Sequence, residues 1–312
     1  MTFLFLMDPL ETVIFEKDTS FILMLGAHTR GHAVYFLPEG GITVKNGKLL
    51  FHAVKVTPQA IPHQPFVIDR PVTLSDAEID AVFIRTDPPF DNEYLMATWL
   101  LDRLPKRVKV INSPSGIRTV NEKVWATQFT TAVPPTIVSS DRHDLIAFLQ
   151  EEPDAVAKPT NGFGGRSVFH IHPGQGNRNV ILETLTDNWT REIIVQRYVP
   201  DSKDGDKRIL LLNGEPLGAV LRMHSDEDHR NNFFAGGKPL AADITVRDRE
   251  IIALLKPELQ KLGLYFVGID VIGNYLIEVN VTSPTGLQEM NRLYNASLQD
   301  KVIEFAEGLI KN

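Results

Sequence analysis

Cysteine does not occur anywhere in the 312 residues, which removes disulfides, thiolate zinc sites and thiol nucleophiles from consideration. An excess of basic charge is lacking too. Lys and Arg number 32 against 39 Asp and Glu, a formal net charge of −7. A protein that tracks a phosphate backbone carries the opposite balance, so the composition speaks against a nucleic-acid partner. No apolar run approaches the ~18–20 residues of a membrane span. The opening MTFLFLMD is interrupted at Asp8 and has no basic leader, so residues 2–7 read as a first buried strand and not as a signal peptide. A cytoplasmic protein with no membrane contact is the expectation. The nucleophile elbow G-x-S-x-G, the GK[ST] ending of a P-loop and the dinucleotide fingerprint G-x-G-x-x-G are also missing, which argues against triad hydrolases, P-loop enzymes and dehydrogenases.

What is present is ordinary globular composition, 43% hydrophobic and 23% charged, over a length that suits about two domains or one with insertions. The first third alternates apolar runs with helical patterns. TFLFLMD, HAVYFL, AVFIR and VKVIN read as strands, with helices over Thr19–Arg30 and 92–104. That alternation predicts a parallel α/β sheet, whose ligands gather at the strands' carboxyl ends, where Asp8, Arg85, Asp87 and Asn112 stand. The proline-rich KVTPQAIPHQPFVIDRP reads as irregular. From Asn121 the texture shifts toward α+β: a helix near 120–130, strand PTIVS, a helix near 141–151, strand AVAKP, then a glycine-rich turn, SVFHIH, a helix near 178–186 and EIIVQRYV. RILLLNGEPLGAVL forms a hairpin around Asn213-Gly214. A polar segment, a helix near 246–263, a second hairpin and a C-terminal helix complete the chain.

Three stretches carry candidate chemistry. IDVIGNYLIEVNVTSPT, residues 269–285, alternates like a buried strand yet contains Asp270, Glu278 and Asn280. Glu278 and Asn280 share a face because they are two apart. Asp270 joins them only if the turn shifts the parity, as a three-residue Gly273-Asn274-Tyr275 loop or an equivalent bulge would. With that shift the trio is an all-oxygen set suited to Mg²⁺; without it the acids are incidental on a solvent-facing strand. KPTNGFGGRSV places Lys158 before Gly162, Gly164 and Gly165, able to wrap backbone N–H groups around an anion, or to make a plain β-turn. SKDGDKRILLL sets Arg208 on a strand whose hairpin partner ends in Arg222, two guanidiniums above one sheet or a charged turn. HRNNFFAGG reads as a flap over substrate or a surface loop. His170 and His172 share a strand face and, with no third ligand in the sequence, read as solvated or packed.

Taken together, MDP near the start, KDTSF (17–21), RTDPPFD (85–91), NEK (121–123), KPTNGFGG, KDGDKR (203–208), FVGIDVIG and EVNVTSPTG resemble, in the same order and over almost the whole chain, the ATP-grasp ligases and more closely the bacterial glutathione synthetase family. The resemblance implies an ATP-grasp fold: an N-terminal parallel α/β substrate-binding domain (1–120), a central lid subdomain with the glycine loop (121–199) and a C-terminal subdomain with metal site and flap (200–312). It implies ATP gripped between two sheets, with Lys123 and Lys158 on its phosphates and Gly162, Phe163, Gly164 and Gly165 as a lid. Gln196, Arg197, Tyr198 and Val199 would line the adenine pocket. Asp270, Glu278 and Asn280 would hold two Mg²⁺, with Mn²⁺ as a substitute. Arg208, Arg222 and Arg230 would be catalytic. Asp8, Ser20, Arg85, Asn232, Ser283, Pro284 and Thr285 would contact substrate. The implied reaction joins γ-glutamylcysteine to glycine through an acyl phosphate, in a homo-oligomer, dimer or tetramer. A related ligase with another peptide or amine, and a non-catalytic nucleotide-binding protein, are the alternatives. Arg197 in place of asparagine, Thr86 in place of lysine and the RNNFFAGG flap depart from the family pattern.

Overall fold

The computed structural model describes residues 1–162, 164–174, 176–223 and 238–311. Arg230, Asn232 and Phe163, and with them the flap, lie outside the described residues. The described chain builds three sheets, each from a continuous stretch of sequence.

The first sheet contains β1 (Thr2–Leu6), β2 (Ala33–Leu37), β3 (Ile42–Lys45), β4 (Lys48–Pro58), β5 (Phe66–Ser75), β6 (Ala81–Ile84) and β7 (Lys109–Ile111). Its core is parallel, with β1 between β2 and β6, and β7 outside β6. Phe3–Leu6 and Ala81–Ile84 are buried at every position, as expected where helices cover both faces of a parallel sheet. The helices are α1 (Thr19–Thr29), α2 (Asn92–Leu101) and the short α3 (Pro114–Thr119). The Asp18 carboxylate caps α1 by accepting from the Phe21 amide at 2.6 Å, which fixes the KDTSF motif at a helix N-terminus.

The stretch 55–71, read as irregular, is instead most of a long antiparallel hairpin of β4 and β5. Its prolines are accommodated because β5 is an edge strand, with Pro71 opposite Val54 at a register shift. The expected helix near 120–130 is only a 3₁₀ turn, Trp125–Gln128. The segment around it serves instead as an outer cover for the last hairpin. The main chain of Glu122 and Ala132 accepts from the Val279 and Leu276 amides at 2.8 Å each.

The second sheet has the order β10 (Phe169–Ile171), β9 (Ala155–Pro159), β11 (Ile193–Arg197), β8 (Thr136–Ser139), all antiparallel. Helices α4 (Arg142–Glu151) and α5 (Arg178–Leu185) pack Leu145, Leu149, Ile181 and Leu182 onto Ala155, Ala157, Ile193 and Val195. Strand alternation therefore turns Lys158 and Gln196 to the opposite face. The third sheet runs β14 (Lys238–Ala241), β13 (Glu215–Met223), β12 (Asp206–Leu212), β15 (Phe266–Ile272), β16 (Tyr275–Asn280). Helix α6 (Val246–Lys261) adds Ile251, Leu255 and Leu259 to the core beside Ile209, Val267 and Val279. Helices α7 (Leu287–Tyr294) and α8 (Leu298–Lys311) follow, and α8 packs on α1.

Asn112, singled out as a strand-end candidate, joins the first sheet to the third. Its side-chain amide donates to the Phe266 and Val281 carbonyls at 2.8 Å each, and its carbonyl oxygen accepts from the Phe266 amide at 2.7 Å. It is fully engaged and buried, a structural clamp and not a ligand contact.

Candidate active site

The parity question in the last hairpin is resolved by a bulge. The turn has two residues, Gly273 and Asn274, with Gly273 at φ 54°. Of the two ways to shift the parity, the chain uses the bulge and not the three-residue loop, since Tyr275 pairs with Ile272. Ile277 is the extra residue: Val271 faces Leu276 and Asp270 faces Glu278, with Gly268 opposite Asn280. One added residue in β16 thus moves Asp270 onto the face of Glu278 and Asn280. Arg208 pairs directly with Asp270, and Asp206 with Arg222, in the neighbouring strands. Asp206, Arg208, Arg222, Asp270, Glu278 and Asn280 consequently occupy one face of one sheet.

The charges on this face interlock. The Arg208 guanidinium donates to both Asp270 oxygens, 2.9 Å at Oδ2, and its Nη1 donates to the Thr285 carbonyl at 3.3 Å. Arg222 lies 3.0 Å from the same Asp270 Oδ2 and makes a bidentate pair with Asp206. Burial alone would raise the Asp270 carboxyl, yet Arg208 and Arg222 together hold it well below the usual carboxylate range. The Asn280 amide nitrogen lies 3.5 Å from Asp270 Oδ2. Gly268 gives Arg208 its room: a Cβ there would sit 3.2 Å from Arg208 Cδ and 2.9 Å from Pro284 Cβ.

Facing this sheet is the polar side of β9 and β11. Lys123 Nζ donates to Glu278 Oε1 at 2.8 Å and to the Gly162 carbonyl, joining the glycine turn to the hairpin acid. Gly164 and Gly165 have φ of 64° and 71°, the left-handed region that favours glycine. Lys158 is buried and donates to Gln196 Oε1 at 3.2 Å, while the Gln196 amide donates to Thr136 at 2.7 Å. Burial pulls the Lys158 ammonium down to about 8, an effect that Glu278 and Asp270 oppose and Lys123 reinforces. Arg197 and Tyr198 direct their side chains elsewhere. The Arg197 guanidinium donates to the Tyr275 hydroxyl at 2.8 Å, tying the second sheet to the hairpin turn, and Tyr198 stacks on His170. Val199 is buried and precedes the 3₁₀ turn Pro200–Asp204.

The third group lies at the carboxyl ends of β1 and β6. Arg85 is buried; its Nε donates to Ser20 Oγ and its Nη2 to the Pro284 carbonyl, both at 3.0 Å. Its Nη1 is buried with no hydrogen-bond partner among the described residues. Burial pulls this guanidinium down, with Asp87 and Asp18 the principal opposing charges. The Asp87 amide donates to Asp8 at 2.8 Å, and Ser283 Oγ donates to the Asp87 carboxylate at 2.5 Å. Residues 283–285 therefore connect the Arg85 group to the Arg208 group.

Glu122 was not read as a site residue, though it stands inside NEK. Its Oε1 accepts from the Val281 amide, the Thr282 amide and the Thr282 hydroxyl at 2.8, 3.1 and 2.9 Å. Burial first, and the Glu278 charge second, push its carboxyl up. It acts as a positioning residue that anchors the chain just past Asn280. Adjacency to Lys123 was the one signal the sequence offered.

Two family models match the chain: the N-terminal domain of prokaryotic glutathione synthetase over residues 1–118, and its ATP-grasp domain over residues 122–295. The glutathione synthetase of Synechococcus elongatus is 42% identical, covering 99% of both chains, and that of Pseudomonas aeruginosa is 39% identical over 96% of this chain and 95% of its own. Among solved structures, D-cycloserine synthetase DcsG superposes with a TM-score of 0.67 at 16% identity, covering 98% of this chain and 99% of its own. The ATP-grasp ligase PsnB, complexed with a minimal precursor, Mg and ADP, superposes with a TM-score of 0.61 at 15% identity, covering 99% and 98%. At such identities these two establish the ATP-grasp fold alone. With both domains matched and near-full-length relatives at about 40% identity, the chain belongs to the prokaryotic glutathione synthetase family.

Proposed function

We propose that this protein joins γ-glutamylcysteine to glycine at the expense of ATP, releasing glutathione, ADP and phosphate. The observation that carries this reading, beyond family membership, is the set of charged groups gathered around the last hairpin: Lys123 paired with Glu278, Arg208 with Asp270, and Arg208 and Arg85 both bonded to the 284–285 main chain. A carboxylate is a poor electrophile. Transfer of the γ-phosphoryl group of ATP converts the dipeptide's carboxylate to an acyl phosphate. The amine of glycine then attacks that carbonyl, and the tetrahedral oxyanion collapses with loss of phosphate. Negative charge grows at each step, and fixed cations in a dry site offset it.

In this reading Lys123 and Lys158 hold the ATP phosphates, and Gly162, Gly164 and Gly165 close over them. The Gln196–Val199 backbone lines the adenine. Arg208 faces the developing oxyanion with Arg222 behind it, and the idle Nη1 of Arg85 takes a substrate carboxylate beside Ser20 and Asp8. Asp270, Glu278 and the Asn280 amide oxygen form a hard oxygen set that fits Mg²⁺. They would hold two ions, or Mn²⁺ in substitution. When bound, magnesium draws charge from the phosphoryl oxygens. Until then, Arg208, Arg222 and Lys123 neutralise those acids. The working parts are 1–120 for the dipeptide, 121–199 for the ATP lid and 200–312 for metal and catalysis. No helix among the described residues is long and apolar enough to cross a membrane. The setting is cytoplasmic, where ATP is available. The half-exposed Met96 and Trp99 of α2 favour a homo-oligomer, dimer or tetramer.

The direct test measures ADP release with ATP, Mg²⁺ and γ-glutamylcysteine, with and without glycine, and identifies the product by mass. Glycine-dependent ADP with matching tripeptide is expected; ADP release without tripeptide would overturn the reading.

Lys158 gives a proton signature. Its folded value of about 8 lies below the ordinary lysine value, so the unfolded chain binds the extra proton between the two. The cost of burying this ammonium is present below pH 8 and fades as pH rises. Phosphates beside Nζ act oppositely and restore the charge. ATP binding at pH 8 is therefore expected to take up about half a proton. The uptake appears as a calorimetric enthalpy that varies with the buffer, and it shrinks at pH 6.5. An enthalpy independent of buffer at pH 8 would remove Lys158 from the phosphates.

A further inference from the structure

At the end of β9 away from Lys158, antiparallel pairing completes a cluster that the sequence shows only in part. His170 and His172 are two apart, and Ile171 pairs with Ala155. Continuing that register by one residue brings Asp154 opposite His172, on the face that also carries His170. The Asp154 Oδ1 atom lies 2.7 Å from His170 Nε2 and 3.9 Å from His172 Nδ1. One ligand atom from each of the three falls within 4.8 Å of the others. We propose that Asp154, His170 and His172 form a second metal site, for a divalent transition ion such as Zn²⁺, Ni²⁺ or Co²⁺, separate from the oxygen site of the third sheet.

The donor chemistry separates the two. Two imidazoles and one carboxylate suit borderline ions, whereas Mg²⁺ takes oxygen and retains its waters. Ligands roughly 2.0–2.1 Å from a tetrahedral zinc stand about 3.3 Å apart. The observed 2.7 and 3.9 Å bracket that edge, and the two imidazoles, now 3.8 Å apart between centroids, would turn to aim one nitrogen each at a shared ion. To ligate, the His170 nitrogen that now meets Asp154 has to be free of a proton, so binding is expected to weaken in acid. His170 is held in place from behind, its ring stacked on Tyr198 with centroids 3.9 Å apart and planes 22° from parallel. The Tyr198 amide in turn donates to the Asp154 carbonyl at 2.9 Å, so carboxylate and imidazole are referenced to one anchor. His172 is exposed and stands beside a hollow lined by Leu149, Pro153, Ile171 and Arg178. An ion can thus enter from solvent and keep water as a fourth ligand. Four residues of strand, about 13 Å, separate Asp154 from Lys158.

The test uses the full chain, stripped with a chelator and held in excess Mg²⁺ to occupy oxygen sites. Zn²⁺ is titrated by calorimetry, and Co²⁺ by its visible absorption, which intensifies on tetrahedral coordination. One saturable equivalent is expected. His172→Ala, at an exposed position, and Asp154→Asn, which keeps the side chain's shape, should each weaken binding at least about tenfold. His143→Ala is the control. It removes the imidazole of the other cluster of potential ligands, Asp141, His143 and Asp144, all exposed, and should leave the titration unchanged. Absence of saturable binding in the wild type, or binding that survives His172→Ala and Asp154→Asn, would overturn the proposal. Loss on His143→Ala alone would do the same. Because ligase turnover is not the readout, failure here leaves the function reading intact.

Discussion

With Arg208 replaced by methionine, ligation is expected to fall at least about a thousandfold in kcat while ATP affinity changes less than about threefold. The guanidinium is buried above the centre of the third sheet, bonded to Asp270 and to the Thr285 carbonyl. In the proposed reading the lysines hold the phosphates and Arg85 the dipeptide, so the Arg208 charge would act on the carbonyl where negative charge develops, and little on bound ATP. Methionine keeps the unbranched stem as far as the Nε position, in the space that Gly268 leaves open, so the substitution removes the charged head and retains the apolar packing of the stem. Asp270 retains Arg222 at 3.0 Å, which limits the damage to folding. Single-turnover formation of tripeptide, measured beside calorimetric ATP binding, separates the two effects. Ligation near the wild-type rate would mean that Arg208 serves the fold and not the reaction.

The sequence carried the chemistry further than the geometry. Side-chain types and their order singled out Lys123, Lys158, Asp270, Glu278 and Asn280 as candidates, because a ligand set would need those types whatever the backbone does. Their convergence depended on events with no residue code. The bulge at Ile277 decides whether Asp270 shares a face with Glu278, and no glycine or proline announces it. The third partner of His170 and His172 comes from the register of β9 against β10, a pairing of residues 16 apart for Asp154 and His170. Asn112 looked like a ligand because it follows a strand, and only tertiary contact showed its amide fully spent on Phe266 and Val281. The β4–β5 hairpin was missed because Pro58, Pro62, Pro65 and Pro71 signal a break locally. Edge position and the hairpin tip accommodate all four.

Asp270→Asn is the companion experiment, and it should cost both folding and activity. Asparagine matches the shape of aspartate, so packing is preserved, while the charge is lost and one acceptor oxygen becomes an amide donor facing the guanidiniums. Two buried guanidiniums, Arg208 and Arg222, then share the single carboxylate of Asp206. Removing one partner from a buried ionic cluster typically costs about 3–5 kcal/mol, whereas an exposed pair such as Lys256 with Glu215 contributes about 0–1 kcal/mol. A fall of that larger size in the free energy of urea unfolding is expected for Asp270→Asn, against almost none for Lys256→Ala. Ligation should drop at least about a thousandfold, and the thermal stabilisation given by Mg²⁺ with ATP should disappear, since one carboxylate of the oxygen set is gone. The pH dependence fixes the cause. Arg208 and Arg222 hold the folded-state value of Asp270 below its unfolded value. Its stabilisation is therefore fully present above the ordinary aspartate value, about 3.9, and is lost as pH falls through the depressed one. The stability gap between wild type and variant should stay constant from neutrality to about pH 4 and narrow only in stronger acid. A gap that is already small at neutral pH would show that Asp206 satisfies both arginines, and that Asp270 is held ready for metal without being needed by the fold.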